Sequence, residues 1–299
     1  MYKLKLFSQK TKEPVIGYLF ILPALLLLLF FVFIPTFQGI YFSLTSWEGI
    51  GRMKFVGLSN YREFFLNPLS RQVILNTLEY TFGVVFFQML LALLLALTLN
   101  SKRIHLKEIF RTAYFLPVLV SSIASSIVWK WFLGSDGPLT YFCNLLGINI
   151  FGGWLTDTRF AMWGIILMNT WRWAGYLMVI YLAGLQAIPE DLYEAAIIDG
   201  ANTLAQFRYI TWPMLSFTTF FVLTTSLIGS FQMFEEVYVM TGGGPLNATN
   251  VMGFYLYENA FKYLRMGYAS MIGCVMAGVI FIITVIQFRI TGQWQSFKL

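Results

Sequence analysis

The chain has 299 residues, of which 58% are hydrophobic, 18% aromatic and 11% charged, with a mean hydropathy of +0.69. A water-soluble domain has too little interior to hide that much apolar surface, so the composition excludes an ordinary soluble protein and predicts an integral membrane protein. The net charge of +6 does not mark a nucleic-acid binder, because the basic residues are scattered over short inter-span segments and form no patch.

Residues 1–16 read as a basic cytoplasmic N-terminus, carrying Lys3, Lys5, Lys10 and Lys12. The apolar run that follows is about 20 residues long, the length needed to cross the hydrocarbon layer. It has no small-x-small exit, so it reads as a membrane anchor rather than a secretory signal. Six segments qualify as spans: Gly17 to Phe37, with the helix carried to about residue 40; Tyr80 to Leu99; Ala113 to Trp131; Ala161 to Leu185; Met214 to Phe234; and Met266 to Gln287. Lipid offers no partner to a free backbone N–H or C=O, so the expected class is an all-α membrane protein with six transmembrane helices. The expected organisation is an extracytoplasmic segment at 41–79, a five-helix core at 80–288 and a cytoplasmic tail at 289–299. Eleven basic residues fall on one side of this arrangement and eight on the other, which places both termini and the loop 186–213 in the cytoplasm.

Cys143 falls in a predicted loop and Cys274 inside a predicted span, so a disulfide between them is not expected. No cofactor or metal site can be assembled from these residues. There is no G-x-x-x-x-G-K-[ST] loop, and Gly242, Gly243 and Gly244 lack the strand, lysine and helix that a phosphate loop requires. That glycine run is either a flexible turn or an outer loop. The chain therefore reads as a non-enzyme with no nucleotide-binding motif.

Within the fourth span, Arg172 is the costliest residue to place in a bilayer, at about 2.5 to 3.5 kcal/mol on insertion scales, and so should face a partner or a wet cavity. It lies in the run NTWRWAGY with Asn169, Trp171, Trp173 and Tyr176 close by; at helical spacing Asn169, Arg172, Trp173 and Tyr176 share one side. Flat aromatic faces suit the C–H side of a sugar ring and the polar groups suit its hydroxyls, so these residues are candidates for a substrate path. An internal salt bridge, or contact with a partner, explains Arg172 equally well. Gln232 and Glu235, with the adjacent Glu236, end the fifth span, and either acid could pair with Arg172 or reach water.

Between the fourth and fifth spans the loop reads as helix, turn, helix. Pro189 suits a first helical position, and Glu190 and Asp191 put negative charge at the positive end of the dipole. Leu192, Ala195, Ala196 and Ile198 form a narrow apolar side. Gly200 ends the helix, Asn202 caps a second one, and Pro213 breaks that one where the fifth span begins. By pattern alone this could be an amphipathic connector lying on the membrane. Four acids, Glu190, Asp191, Glu194 and Asp199, face one base, Arg208, and an anionic bilayer repels such a segment, so a protein surface is the better seat.

Glu194, Ala195, Ala196, Asp199, Gly200, Ala201, Phe207, Ile210 and Pro213 match the EAA signature of permease subunits of binding-protein-dependent ABC importers. FVGLSNYREFF at 55–65, FRTAYFLPVLVSS at 110–122, YLAGLQAIPEDLYEAA at 181–196 and FEEVYVMTGGGP at 234–245 are similar to the carbohydrate-importer branch, its MalF-like or UgpA-like half. The resemblance implies the type I importer permease (MetI-like) fold in a bacterial plasma (inner) membrane. It also implies a second, MalG-like permease, two ATPase subunits, an extracytoplasmic solute-binding protein and a sugar substrate as partners. Glu194, Ala195, Ala196, Asp199, Gly200, Ala201 and Phe207 are then the coupling residues seated on the ATPase. An ion-gradient-driven secondary transporter and a structural membrane subunit are the competing readings; no repeat of the two halves supports the former.

Overall fold

The computed structural model describes residues 17–101, 104–148, 150 and 152–295, and of 290–295 only the backbone. The basic N-terminus at 1–16, Lys102, Arg103 and the end of the tail lie outside the described residues. The chain divides into two units, residues 1–63 with 259–275 and residues 64–258 with 276–299.

The first unit opens with α1, Gly17–Ser43, whose apolar window has a mean hydropathy of 2.8 and no buried residue. A wide turn over Leu29–Phe33 precedes Pro35, whose ring cannot accept the regular ladder. Beyond α1 the all-α expectation meets one small exception, a two-residue antiparallel ribbon of β1 (Thr45–Ser46) and β2 (Lys54–Phe55). Asn60, buried at the start of α2 (Ser59–Leu66), ties the end of α1 to the ribbon by donating to the carbonyls of Ser43 at 2.8 Å and Thr45 at 2.9 Å. Arg265 closes the unit with a 2.7 Å pair to Glu63.

The second unit is built on α3, Pro68–Asn100, and α7, Ala161–Gln186. Helix α3 starts twelve residues before the expected Tyr80, with Asn67 capping the amide of Leu69 at 2.9 Å and Pro68 in the first position. Its early turns carry Ser70, Asn76 and Thr77, polar residues that hide a helix from hydropathy but are buried here against other protein. At 33 residues it is about 50 Å long, more than the hydrocarbon requires.

The expected single span 113–131 is instead two helices, α4 (Lys107–Leu119) and α5 (Ser122–Phe132), meeting at 98°. Pro117 removes a ladder donor one turn before the break, and Val120 and Ser121 are extended. A short helix α6, Pro138–Leu145, follows. The loop 186–213 forms α8 (Glu190–Ile198) and α9 (Thr203–Met214), and α9 turns by 63° into α10, Ser216–Phe231. The break falls at Leu215 rather than at Pro213, because a wide turn over Phe207–Thr211 accommodates the proline. The short helices α11 (Glu235–Met240) and α12 (Met252–Tyr257) precede α13, Met266–Gln295, which belongs to the first unit up to Val275.

Among the described residues three helices, α1, α3 and α13, are long and apolar enough to cross a membrane, and five spans result if each bent pair counts as one. The expected count of six exceeds this by α7. With 26 residues α7 is long enough, but Asn169, Thr170 and Arg172 lower its hydropathy, and it is packed inside protein along most of its length. Two apolar clusters line its two halves. One gathers Tyr80, Val84, Ile165, Met168 and Val237; the other gathers Ala92, Ala96, Met178, Tyr181 and Leu215.

Candidate functional site

At the middle of α7 the two apolar clusters are separated by polar side chains. Arg172 and Glu236 lie 3.6 Å apart, guanidinium nitrogen Nη1 to carboxylate oxygen Oε1, with side chains only 12% and 10% exposed. The same Oε1 accepts from Ser122 Oγ and from Asn169 Nδ2, each at 3.1 Å. Gln88 donates to Asn169 Oδ1 at 2.8 Å, which turns the Asn169 amide so that its nitrogen faces Glu236. Three elements, α5, α7 and α11, thereby meet at one oxygen, and α3 joins them through the Asn169 amide. Arg172 also donates to the carbonyl of Val120 at 3.4 Å.

The break between α4 and α5 explains this pairing. A carbonyl freed where a helix ends carries partial negative charge and attracts a cation, and an exposed helix start attracts an anion. Arg172 meets the C-terminal end of α4 at Val120, and Glu236 meets the first turn of α5 at Ser122. The broken span and the charged pair are one arrangement. Arg172 Nε remains buried without a hydrogen-bond partner among the described residues, so the guanidinium is incompletely satisfied.

A cavity of about 490 Å³ opens beside this pair. Asn169, Arg172, Trp173, Tyr176, Gln232 and Glu235 all line it, together with Gln88, Ser122, Thr225, Ser226, Ser230 and Glu236. Trp173 lies under the Arg172 guanidinium at 5.5 Å and meets Tyr176 edge to face at 5.8 Å. Trp171 points elsewhere: it is 41% exposed, packs on Trp129 at 5.6 Å and does not line the cavity. Sequence reasoning left the partner of Arg172 open between the two acids, and the structure selects Glu236. Glu235 is exposed. Helical spacing could not decide this, since the turn between α10 and α11 resets the phase at Gln232.

At the C-terminal end of α7 the loop helices frame a second concavity, a cleft of about 1050 Å³ lined by Asn100, Gln186, Glu190, Tyr193, Glu194, Ile197, Leu204 and Phe207 among others. Pro189 is the cap of α8 rather than its first residue, one position from expectation. Asn202 caps α9 by accepting from Ala205 N at 2.9 Å, and Gly200 has φ +77, a value that L side chains rarely adopt. The expected apolar side is rotated. Tyr193 and Ala196 are half-buried, with the Tyr193 hydroxyl 2.9 Å from Thr211 Oγ1, whereas Leu192, Ala195 and Ile198 face outward, Ile198 with 86% of its surface exposed. Glu194, Asp199 and Gly200 are exposed as well, and Ala201 and Phe207 are half-buried.

The glycine run is a hydrogen-bonded knot. Thr249, fully buried, donates to the Gly244 carbonyl at 2.7 Å and lies 2.8 Å from the Thr241 hydroxyl. Asn76 donates to the carbonyls of Asn247 and Asn250 at 2.7 and 2.9 Å, fixing the knot to the polar early turns of α3.

The family model described as "Binding-protein-dependent transport system inner membrane component" matches residues 88–292. The chain belongs to this family. It is a permease subunit of an ABC-type importer, a multi-pass inner-membrane protein that works with a separate ATPase, and it is not itself an enzyme. The permease is 38% identical over 295 residues to the arabinooligosaccharides transport system permease protein AraP of Bacillus subtilis (strain 168), covering 97% of this chain and 92% of that one. It is 36% identical over 287 residues to the lactose transport system permease protein LacF of Rhizobium radiobacter, covering 94% and 95%. Its fold matches a chain in the crystal structure of a bacterial ABC transporter involved in the import of the acidic polysaccharide alginate, with a TM-score of 0.81, 22% identity and coverage of 96% and 98%. The ion-gradient and purely structural readings are set aside by this membership. A broken span, often met in secondary transporters, does not by itself distinguish the two classes.

Proposed function

We propose that this permease carries a sugar or oligosaccharide through the cavity beside Arg172 and is opened and closed by ATP hydrolysis transmitted through the loop 186–213. In this reading six spans cross the membrane, α7 being the sixth, with both termini cytoplasmic. A second, homologous permease, two ATPase subunits and an extracytoplasmic binding protein complete the machine. The observation that carries it is the cavity itself. Convergent amides, hydroxyls and aromatic faces suit a polyhydroxylated ligand, and they are held on rigid helices in a chain whose relatives are named for arabinooligosaccharides and lactose.

The coupling half rests on exposure. Helix α8 presents Glu194, Ala195, Ile197 and Ile198 outward around the cleft, an acidic and apolar surface that neither water nor an anionic bilayer favours. With nine residues it is about 14 Å long, a lever rather than a flexible tether.

The test is uptake by the complete complex in vesicles. Sugar uptake should require ATP and the binding protein and should continue in the presence of an ionophore. Uptake abolished by the ionophore with ATP present would sink the proposal.

A further inference from the structure

We propose that Glu236 is a charge filter: by neutralising Arg172 it makes the cavity a receptor for neutral saccharides and turns away uronates and sugar phosphates. The inference rests on the transport reading above and adds the chemical class of ligand that the cavity admits.

A buried arginine with an unsatisfied Nε in a cavity wall is by itself an anion receptor, since guanidinium pairs readily with carboxylate and phosphate. Here that capacity is already taken. Oε1 of Glu236 faces Nη1 of Arg172 and is held by Ser122 and Asn169, and Asn169 is in turn held by Gln88. Both of those hydrogen bonds and the guanidinium fix the carboxylate in place beside the arginine. The charged side chains lining the cavity are Arg172, Glu235 and Glu236, one cation and two anions. Glu235 is exposed and has no salt bridge among the described residues. An incoming carboxylate therefore meets a guanidinium already paired with Glu236 and a further acid, Glu235, on the same wall. A neutral sugar meets amides and hydroxyls able to replace its hydration, from Gln88, Thr225, Ser230 and Gln232.

The test uses the complete complex in nanodiscs, with maltotriose, xylotriose and lactose as neutral probes and trigalacturonate as the anionic one. Binding is read from tryptophan fluorescence, since Trp173 lines the cavity. Wild type should bind at least one neutral probe at least tenfold more tightly than trigalacturonate. Glu236→Gln keeps the shape and both hydrogen bonds to the oxygen but frees Arg172, and should narrow that ratio at least tenfold. The double variant Arg172→Gln, Glu236→Gln should return trigalacturonate to weak binding. Equal binding of trigalacturonate and the best neutral probe by wild type overturns the filter, as does a ratio unchanged within twofold in Glu236→Gln. If no neutral probe binds but Glu236→Gln gains trigalacturonate, the filter stands and the sugar reading falls. If neither happens, both fall.

Discussion

Helix α7 serves two concave regions made in opposite ways. At its middle, charged and polar side chains from four helices bond to one another, and Arg172 and Glu236 are nearly enclosed. At its C-terminal end the cleft has exposed side chains such as Glu190, Glu194, Ile197 and Leu204 in its wall, while Ile188, Tyr193 and Ile210 pack the loop helices on the bundle and Asn202 caps the start of α9. The first is folded to completion within one chain, whereas the second leaves apolar residues such as Ile198 for something else to cover. Substitutions that force the helices apart at the middle should therefore act on folding, and those at the end on coupling.

The sharpest way to break this contrast lies at Gly175, one turn from Arg172. A Cβ there would fall inside the van der Waals radius of the Tyr114 carbonyl, and a backbone atom cannot swing aside as a side chain does. Gly175→Ala must separate α4 from α7, and overpacking of this kind costs about 1 to 3 kcal/mol or more. The expected outcome is a lower melting temperature and less assembled complex by size-exclusion chromatography. A variant as stable as wild type would mean that this close approach does not exist.

Gly200→Val should do the reverse. Nothing lies within 4 Å of a Cβ at Gly200, so no neighbour resists the side chain; the resistance is the backbone at φ +77. Holding a β-branched residue there costs about 1 to 3 kcal/mol locally, or the chain relaxes to another φ and re-aims α8. Assembly should remain near wild type while ATP hydrolysis continues without uptake. Normal binding-protein-stimulated uptake would refute the idea that Gly200 aims α8 for coupling.

What the sequence disclosed follows the same division. Local chemistry was legible: Gly200, Asn202 and the helix-turn-helix over 190–211 each follow from a residue's own backbone preference. The cost of Arg172 was legible too, because charge in an apolar run needs a partner whatever the fold. Whatever depended on tertiary burial was hidden. The polar start of α3 looked like loop because Asn76 and Thr77 are satisfied by a segment some 170 residues away. The choice of Glu236 over Glu235 depended on a turn that resets helical phase. The rotation of α8 depended on Tyr193 finding Thr211, a contact that periodicity within one helix cannot contain.

The smallest predicted effect tests whether the cleft is shaped from within this chain. Asn202 Oδ1 satisfies one of the free amides at the start of α9, and removing such a cap costs about 1 kcal/mol. Asn202→Ala should lower the melting temperature slightly, whereas Asn202→Ser, which keeps a side-chain acceptor, should restore it. Because α9 runs through the 63° bend into α10, a frayed start should loosen the cleft wall before it disturbs the cavity. Amide hydrogen exchange should therefore rise at residues 203–207 and stay unchanged at 169–176. Equal gains at both places would mean that the two concave regions share one cooperative unit, and the separation of folding from coupling along α7 would have to be abandoned.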